Sequence, residues 1–281
     1  MKISIIGAGA MGIALAYFLG KRNEVYLTVK KGKTELFSGL YVIFKGERHE
    51  VNAHVSDHLE KGDLTIIAVK SYDLESVFQE YEIGGNILLI QNGLSHLELS
   101  KPGMNIFYAV TTIGARRISE WVSEITGVGY FKVGGQKMME LSFLDGSGID
   151  AEWESDIKKE IYRKAAINAI INPLTAIFRV ENRFVVEDPN IREISTLGIR
   201  ELSDLFNKMG YEFDIKRDVE ETCSVTGRNL SSTLQDIMMG RKTEIDSITG
   251  EILRLADRFG INMPINSLLY NAVKFLEKGQ K

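Results

Sequence analysis

Residues 162–175 read YRKAAINAIINPLT. On a helix Lys164, Asn168 and Asn172 stand at i, i+4 and i+8, so one polar stripe runs along a surface otherwise made almost wholly of Ala and Ile. A helix with such flanks is expected to be buried on most sides, and a buried ammonium and two buried amides each need a partner or cost desolvation free energy. A substrate rich in oxygen acceptors would be such a partner; a structural Lys–Asn network between two domains would be another. Pro173 removes the hydrogen bond to the Ala169 carbonyl and biases Asn172 away from helical geometry, so a kink is expected that aims Asn172 at a site.

Other parts of the chain must bring chemistry to that stripe. Residues 2–6 form a short apolar, β-branched run, followed by GAGAMG and then by helical apolar spacing that ends near Gly20. Strand, glycine-rich turn and helix in that order form a dinucleotide-binding fingerprint. Gly7 permits the tight turn, Gly9 lets backbone approach a pyrophosphate, and Gly12 lets the helix pack closely on the strand. Ala10 and Met11 lie at the helix N-terminus, where free N–H groups attract an anion. The bland alternative is a glycine-rich turn with no ligand. The second strand, residues 24–29, runs into Lys30, Lys31 and Lys33 rather than the acidic residue that reads a ribose 2′-hydroxyl, which favours the 2′-phosphate of NADP; Glu24 sits at the wrong end of the strand to replace that residue.

Two further apolar runs end at Lys70 and at Asn92–Gly93, and the ends of parallel strands are where ligands bind in open α/β sheets. A surface lysine and a turn-forming Asn-Gly pair are the bland readings. Residues 40–56 read as added strands. His54 and His58 have i, i+4 spacing beside Asp57, but no third ligand has motif spacing, so no metal site is expected. Residues 105–133 add more strands, and a polar stretch at 151–156 places the domain boundary: 1–155 as an α/β, Rossmann-type dinucleotide-binding domain and 156–281 as an all-α domain. The second domain is expected to contain helices at 157–169, at 191–209 closed by Gly210, and from Ser231–Ser232 to near Gly240, with Ser232 and Gln235 as a capping box. Thr243 with Asp246 would cap another, ending at Gly260.

The balance of 34 basic and 38 acidic residues, net −4 with the signs interspersed, argues against nucleic acid as a partner. A single cysteine, Cys223, excludes an internal disulfide framework and multi-cysteine metal sites and fits a reducing cytosol. The uncharged run at 3–19 carries the glycine fingerprint rather than a basic leader and cleavage site, and is at the short end of what spans a bilayer, so a cytoplasmic chain with no membrane partner is expected. The all-α domain has apolar residues enough for a homodimer contact.

Four blocks taken together resemble the ketopantoate reductase (2-dehydropantoate 2-reductase) family along essentially the whole chain: GAGAMG at 7–12, QNG at 91–93, KAAINAIINPLTA at 164–176, and NLSSTLQDIMMGRKTEID at 229–246 followed by GINMPIN at 260–266. The resemblance implies NADPH-dependent reduction of 2-dehydropantoate to pantoate on the way to pantothenate and coenzyme A. Lys164 falls on the family's catalytic lysine and Glu244 on its active-site glutamate, which also borders the cofactor. Asn92, Asn168, Asn172, Asn229 and Ser232 match its substrate contacts; Lys30, Lys70 and Asn92 match positions that reach the cofactor. Where that family often has Trp two residues before the lysine, this chain has Tyr162, an exchange expected to alter packing.

The chemistry asks for these residue types on its own account. Hydride transfer to a ketone leaves an alkoxide, so a cation or acid must lie within hydrogen-bond reach of that oxygen. Lys164 is that group; burial should lower its pKa and a carboxylate, with Glu244 the candidate, should raise it. Amides and a serine can orient a carboxylate and a hydroxyl without adding a competing acid. Ser232 as a helix cap and Glu244 as a complement to a helix dipole are the competing structural roles. A reductase of the same architecture acting on another 2-keto acid or a 3-hydroxyacid, and a non-catalytic NADP-binding regulatory protein, are the competing functions.

Overall fold

The computed structural model describes residues 1–99 and 102–279. The chain divides into two compact units, one of Met1–Gln91 with Glu98–Ile157 and one of Asn92–Leu97 with Lys158–Lys281.

The first unit is built on β1 (Lys2–Ile6), α1 (Ala10–Leu19), β2 (Glu24–Thr28), β3 (Tyr41–Phe44), β4 (Glu47–Glu50), β5 (His54–Ser56), β6 (Leu64–Ile67), α2 (Leu74–Glu80), β7 (Gly85–Leu89), β8 (Met104–Thr111), β9 (Gly114–Ser119), β10 (Val122–Gly127), β11 (Tyr130–Gly135) and β12 (Asp150–Trp153). Its main sheet has the order β12-β11-β8-β7-β6-β1-β2-β5. The run from β8 to β5 is parallel throughout, with β1 central and Ile3 opposite both Val25 and Leu64. Strands covered on both faces read as unbroken apolar runs, and β6 is buried at every residue. Because the chain leaves β1 for β2 on one side and returns to β6 on the other, the crevice beyond the carboxyl end of β1 is a topological switch point. β3 and β4 interrupt the crossover between β2 and β5 and join β10 and β9 in a second sheet that packs on α1. Residues 150–153 form an edge strand paired in parallel with β11.

The second unit is helical: α3 (Ile157–Phe178), α4 (Phe184–Glu187), α5 (Pro189–Lys208), α6 (Ile215–Val225), α7 (Ser232–Met238), α8 (Glu251–Phe259) and α9 (Pro264–Lys278). α5 begins where expected of Pro at the first helical position, with the Asp188 carboxylate accepting from the Asn190 and Ile191 N–H groups. α8 is preceded by a π turn at Asp246–Gly250 and closed by Gly260 in the left-handed region.

Three local expectations are overturned. The helix expected to end at residue 169 runs on through Pro173 to Phe178, and Asn172 keeps its place in a continuous α3. A proline inside a helix costs about 3 kcal/mol, but Ala165, Ala166, Ala169, Ile170, Leu174 and Ala176 are all at most 1% exposed, and burial of that length of helix outweighs one lost hydrogen bond. The cap of α7 is Ser231, whose Oγ accepts from the Leu234 N–H at 3.2 Å; Gln235 donates instead to the Leu230 carbonyl. Ser232 is therefore not committed to capping. Likewise Thr243 Oγ1 accepts from the Ile245 N–H and has no bond to Asp246.

Among the described residues no helix is long and apolar enough to cross a membrane, and no group of three or more His, Cys, Asp or Glu could hold a metal ion.

Candidate active site

In the first unit the functional geometry is a property of backbone. Gly7 has φ +109°, and a Cβ there would press on Val69 at 2.8 Å. A Cβ on Gly12 would lie 1.8 Å from the Gly7 carbonyl oxygen, so this turn and the first turn of α1 can touch only if residue 12 is glycine. Gly9 is different: the nearest atom to an added Cβ is the Ala68 oxygen at 4.0 Å. The protein itself does not need glycine at residue 9, whereas a ligand approaching the backbone there would. Gly9 precedes α1 with no side-chain cap, which leaves the N–H groups around Ala10, Met11 and Gly12 at the mouth of the turn. The cradle thus fits a pyrophosphate.

Around it, Lys30 and Lys31 are exposed at the end of β2 and form no ion pair with a described residue, while Lys33 is held by Glu120 at 2.6 Å. Glu24 accepts from the Tyr26 hydroxyl at 2.6 Å at the far end of the strand. Lys70 is half-buried beyond β6, where its carbonyl accepts from the Asp73 N–H. Gln91 locks this end of the sheet by donating to the carbonyls of Ile67 and Val69 at 2.7 and 3.2 Å.

In the second unit the geometry is made by side chains from distant segments. α3 carries Lys164, Asn168 and Asn172 in line; the Asn168 and Asn172 amides make no hydrogen bond to a described residue. The segment Asn92–Leu97 brings Asn92 Nδ2 to 3.4 Å from Glu244 Oε2. Gly93, at φ +86°, permits that approach, since a Cβ there would lie 2.2 Å from the Ser247 carbonyl oxygen, and the Leu94 N–H donates to the same carbonyl at 2.8 Å. Glu244 is only 6% exposed. Burial pushes the Lys164 ammonium down to about 8, and the Glu244 carboxylate opposes that fall by favouring the charged form. An amine held there is protonated at neutral pH yet close to releasing its proton.

The same segment delivers a residue that sequence reasoning missed. His96 is 1% exposed and within electrostatic range of both Glu244 and Lys164. Burial pushes its imidazole down to about 4, with Glu244 opposing and Lys164 reinforcing the shift, so it is neutral at working pH. The only sequence signal was a histidine four residues past the asparagine at the end of a strand. Ser232 and Asn229 are exposed at the approach to α7. Ser231 Oγ accepts from Thr175 Oγ1 at 2.7 Å, and Thr175 Oγ1 also contacts the Asn172 carbonyl, which pins this approach to α3 beside the polar stripe. The Asn229 amide itself reaches no described residue.

A doubly wound sheet with this cradle, together with a helical unit in which a buried lysine lies within electrostatic range of a buried carboxylate, fits an oxidoreductase of the dinucleotide-binding kind. Two family models match, "Ketopantoate reductase PanE/ApbA" over residues 3–137 and "Ketopantoate reductase PanE/ApbA C terminal" over residues 156–277. The chain is 34% identical to the 2-dehydropantoate 2-reductase of Archaeoglobus fulgidus, covering 99% of this chain and 98% of the relative. It is 30% identical to that of Bacillus subtilis, again covering 99% and 98%. The crystal structure of the probable 2-dehydropantoate 2-reductase of Bacillus subtilis superposes with a TM-score of 0.83 at 28% identity, covering 98% of this chain and 100% of that one. The chain belongs to the ketopantoate reductase family.

Proposed function

We propose that this oxidoreductase reduces 2-dehydropantoate to pantoate with NADPH, in the route to pantothenate and coenzyme A, and that Lys164 supplies the proton. The observation that carries the reading is the buried Lys164, its pKa brought down to about 8, within electrostatic range of the buried Glu244 carboxylate. A nicotinamide dinucleotide in the Gly7–Gly12 turn would supply hydride; Gly9, Ala10, Met11 and Gly12 would receive its pyrophosphate, and the exposed Lys30, with Lys70, would receive the 2′-phosphate that distinguishes NADPH from NADH.

Hydride arriving at the keto carbon turns the carbonyl oxygen into an alkoxide. The Lys164 ammonium donates a hydrogen bond to that oxygen and then its proton, which leaves a neutral amine and the product hydroxyl. Glu244 keeps the lysine charged before the transfer, and Asn92 holds Glu244 in place through its amide. Asn168, Asn172, Asn229 and Ser232 offer neutral donors for the substrate's carboxylate and hydroxyl, so that the ammonium is the sole acid at the reacting oxygen. The test is NADPH oxidation with ketopantoate alongside a panel of other 2-keto acids. Turnover of ketopantoate well above the rest is expected; no turnover of it beside good turnover of another acid would overturn the substrate.

A further inference from the structure

α9 contributes no residue to the site described above, yet its inward face meets the segment that carries Glu244 at three of its four residues. Glu277 Oε1 accepts from the Thr243 N–H at 2.8 Å and from Thr243 Oγ1 at 2.7 Å. The Ile245 side chain is 1% exposed and packs in one apolar cluster with Val273 and Tyr270. Asp246 accepts from the Tyr270 hydroxyl at 2.7 Å and from Lys274 Nζ at 3.0 Å. Lys274 also pairs with Glu277 at 2.9 Å, which ties the two ends of the grip together. Tyr270, Lys274 and Glu277 stand at i, i+4 and i+7 and so share one helix face.

Both carboxylates of the arrangement have hydrogen-bond donors. Hydrogen bonds from Thr243 and Lys274 hold the Glu277 carboxyl below its usual range against the effect of burial; those from Tyr270 and Lys274 do the same for Asp246, with Lys242 adding to it. α9 is itself anchored at its other end: the Glu201 carboxylate of α5 accepts from the Ile265 and Asn266 N–H groups at 2.8 and 3.0 Å, and Asn266 Nδ2 donates to the Gly198 carbonyl. The grip on residues 243, 245 and 246 brackets residue 244, the carboxylate met by Asn92.

We infer that Tyr270, Lys274 and Glu277 form a clasp that positions Glu244 against Lys164, with Glu277 as the principal positioning residue. The inference rests on the proposed role of Lys164. Groups fixed to within a fraction of an ångström are what such pairs require, because a small misplacement costs orders of magnitude in rate. The titratable groups facing Lys164 are Glu244, from the segment before α8, and His96, from the segment after β7. Loosening the clasp withdraws the first of these.

The experiment reads Lys164 directly, in protein carrying lysine labelled with ¹³C at Cε, its signal assigned by its loss in Lys164→Arg. In the intact chain the signal should titrate near 8. In Glu277→Ala the midpoint should fall, because the carboxylate that favours the charged amine is no longer held to it, and kcat should drop on the order of 10- to 100-fold while KM for NADPH holds. Glu277→Gln retains an acceptor for Thr243 and should recover much of both. Should Glu277→Ala not fold, Thr243→Val removes only the hydroxyl link and should shift the midpoint the same way by less, with Thr243→Ser at the original value. An unmoved Lys164 midpoint in folded Glu277→Ala or Thr243→Val overturns the clasp. Failure of the intact enzyme to reduce any 2-keto acid would instead overturn the proposed reaction, and the titration would still read the clasp.

Discussion

The two units hold their chemistry in opposite ways. The glycine-rich turn is six consecutive residues whose geometry lies in the backbone, with glycine at residues 7 and 12, where a Cβ would strike Val69 or the Gly7 carbonyl, and at residue 9, where it would strike nothing of the protein. The helical unit assembles side chains from residues 92, 96, 164 and 244, which meet only after folding. A backbone cradle tolerates little substitution but needs little support. A side-chain site accepts many neighbours but needs each donor anchored from behind, as Asn92 is by the Gly93–Ser247 contact and, as inferred above, Glu244 is by α9.

The comparison can be tested from its most severe prediction downward. Lys164→Ala should lower kcat by at least ~10²-fold with the fold intact, since a general acid contributes that much or more; near-normal kcat would reject its role. The pH profile should carry the same signature. Burial lowers the lysine's pKa, so the charged donor is present below about 8 and lost above it, and kcat/KM should be level below that pH and fall about tenfold per unit beyond it. His96, with its imidazole brought down to about 4, should add no acidic limb above that value.

Within the cradle, Gly12→Ala and Gly9→Ala should separate. The first sets a Cβ 1.8 Å from a carbonyl oxygen and should lower Tm by several degrees or more; the second meets nothing closer than 4.0 Å and should leave Tm alone while raising KM for NADPH, roughly tenfold if one pyrophosphate contact is lost. Equal thermal melts for both would remove the distinction between a packing glycine and a ligand glycine. The smallest effect is expected from Lys30→Glu, a few-fold decline in the preference for NADPH over NADH, because an exposed charge acts through water and salt. An unchanged ratio would move phosphate recognition elsewhere.

What could be read in the sequence follows the same division. Strand, GAGAMG and helix are contiguous, and the constraint on each glycine is local, so the turn is legible from spacing alone. The stripe on α3 is legible for the same reason, although its end is not: local propensity stops the helix before Pro173, whereas burial on nearly every side carries it on to Phe178. The cap of α7 is displaced by one residue because Ser231, not Ser232, also has Thr175 to bind, a partner 56 positions away. His96 and Glu277 lie beyond reach of pattern reading. Nothing about a histidine in a turn or a glutamate in the last turn of a helix marks it until the residues it meets, at 164 and 244 or at 243, are known.

The six residues Asn92–Leu97 have a consequence for any attempt to take the enzyme apart. They lie within the sequence of the first unit but belong to the second, so the chain passes between the units three times, after Gln91, after Leu97 and after Ile157. A fragment starting at Lys158 would retain Lys164 and Glu244 yet lack Asn92 and His96, and the fragment ending at Ile157 would carry those two residues without the helices they pack on. Neither half is a portable module: exchanging the dinucleotide unit with that of a relative would also import the relative's version of the loop beside the lysine.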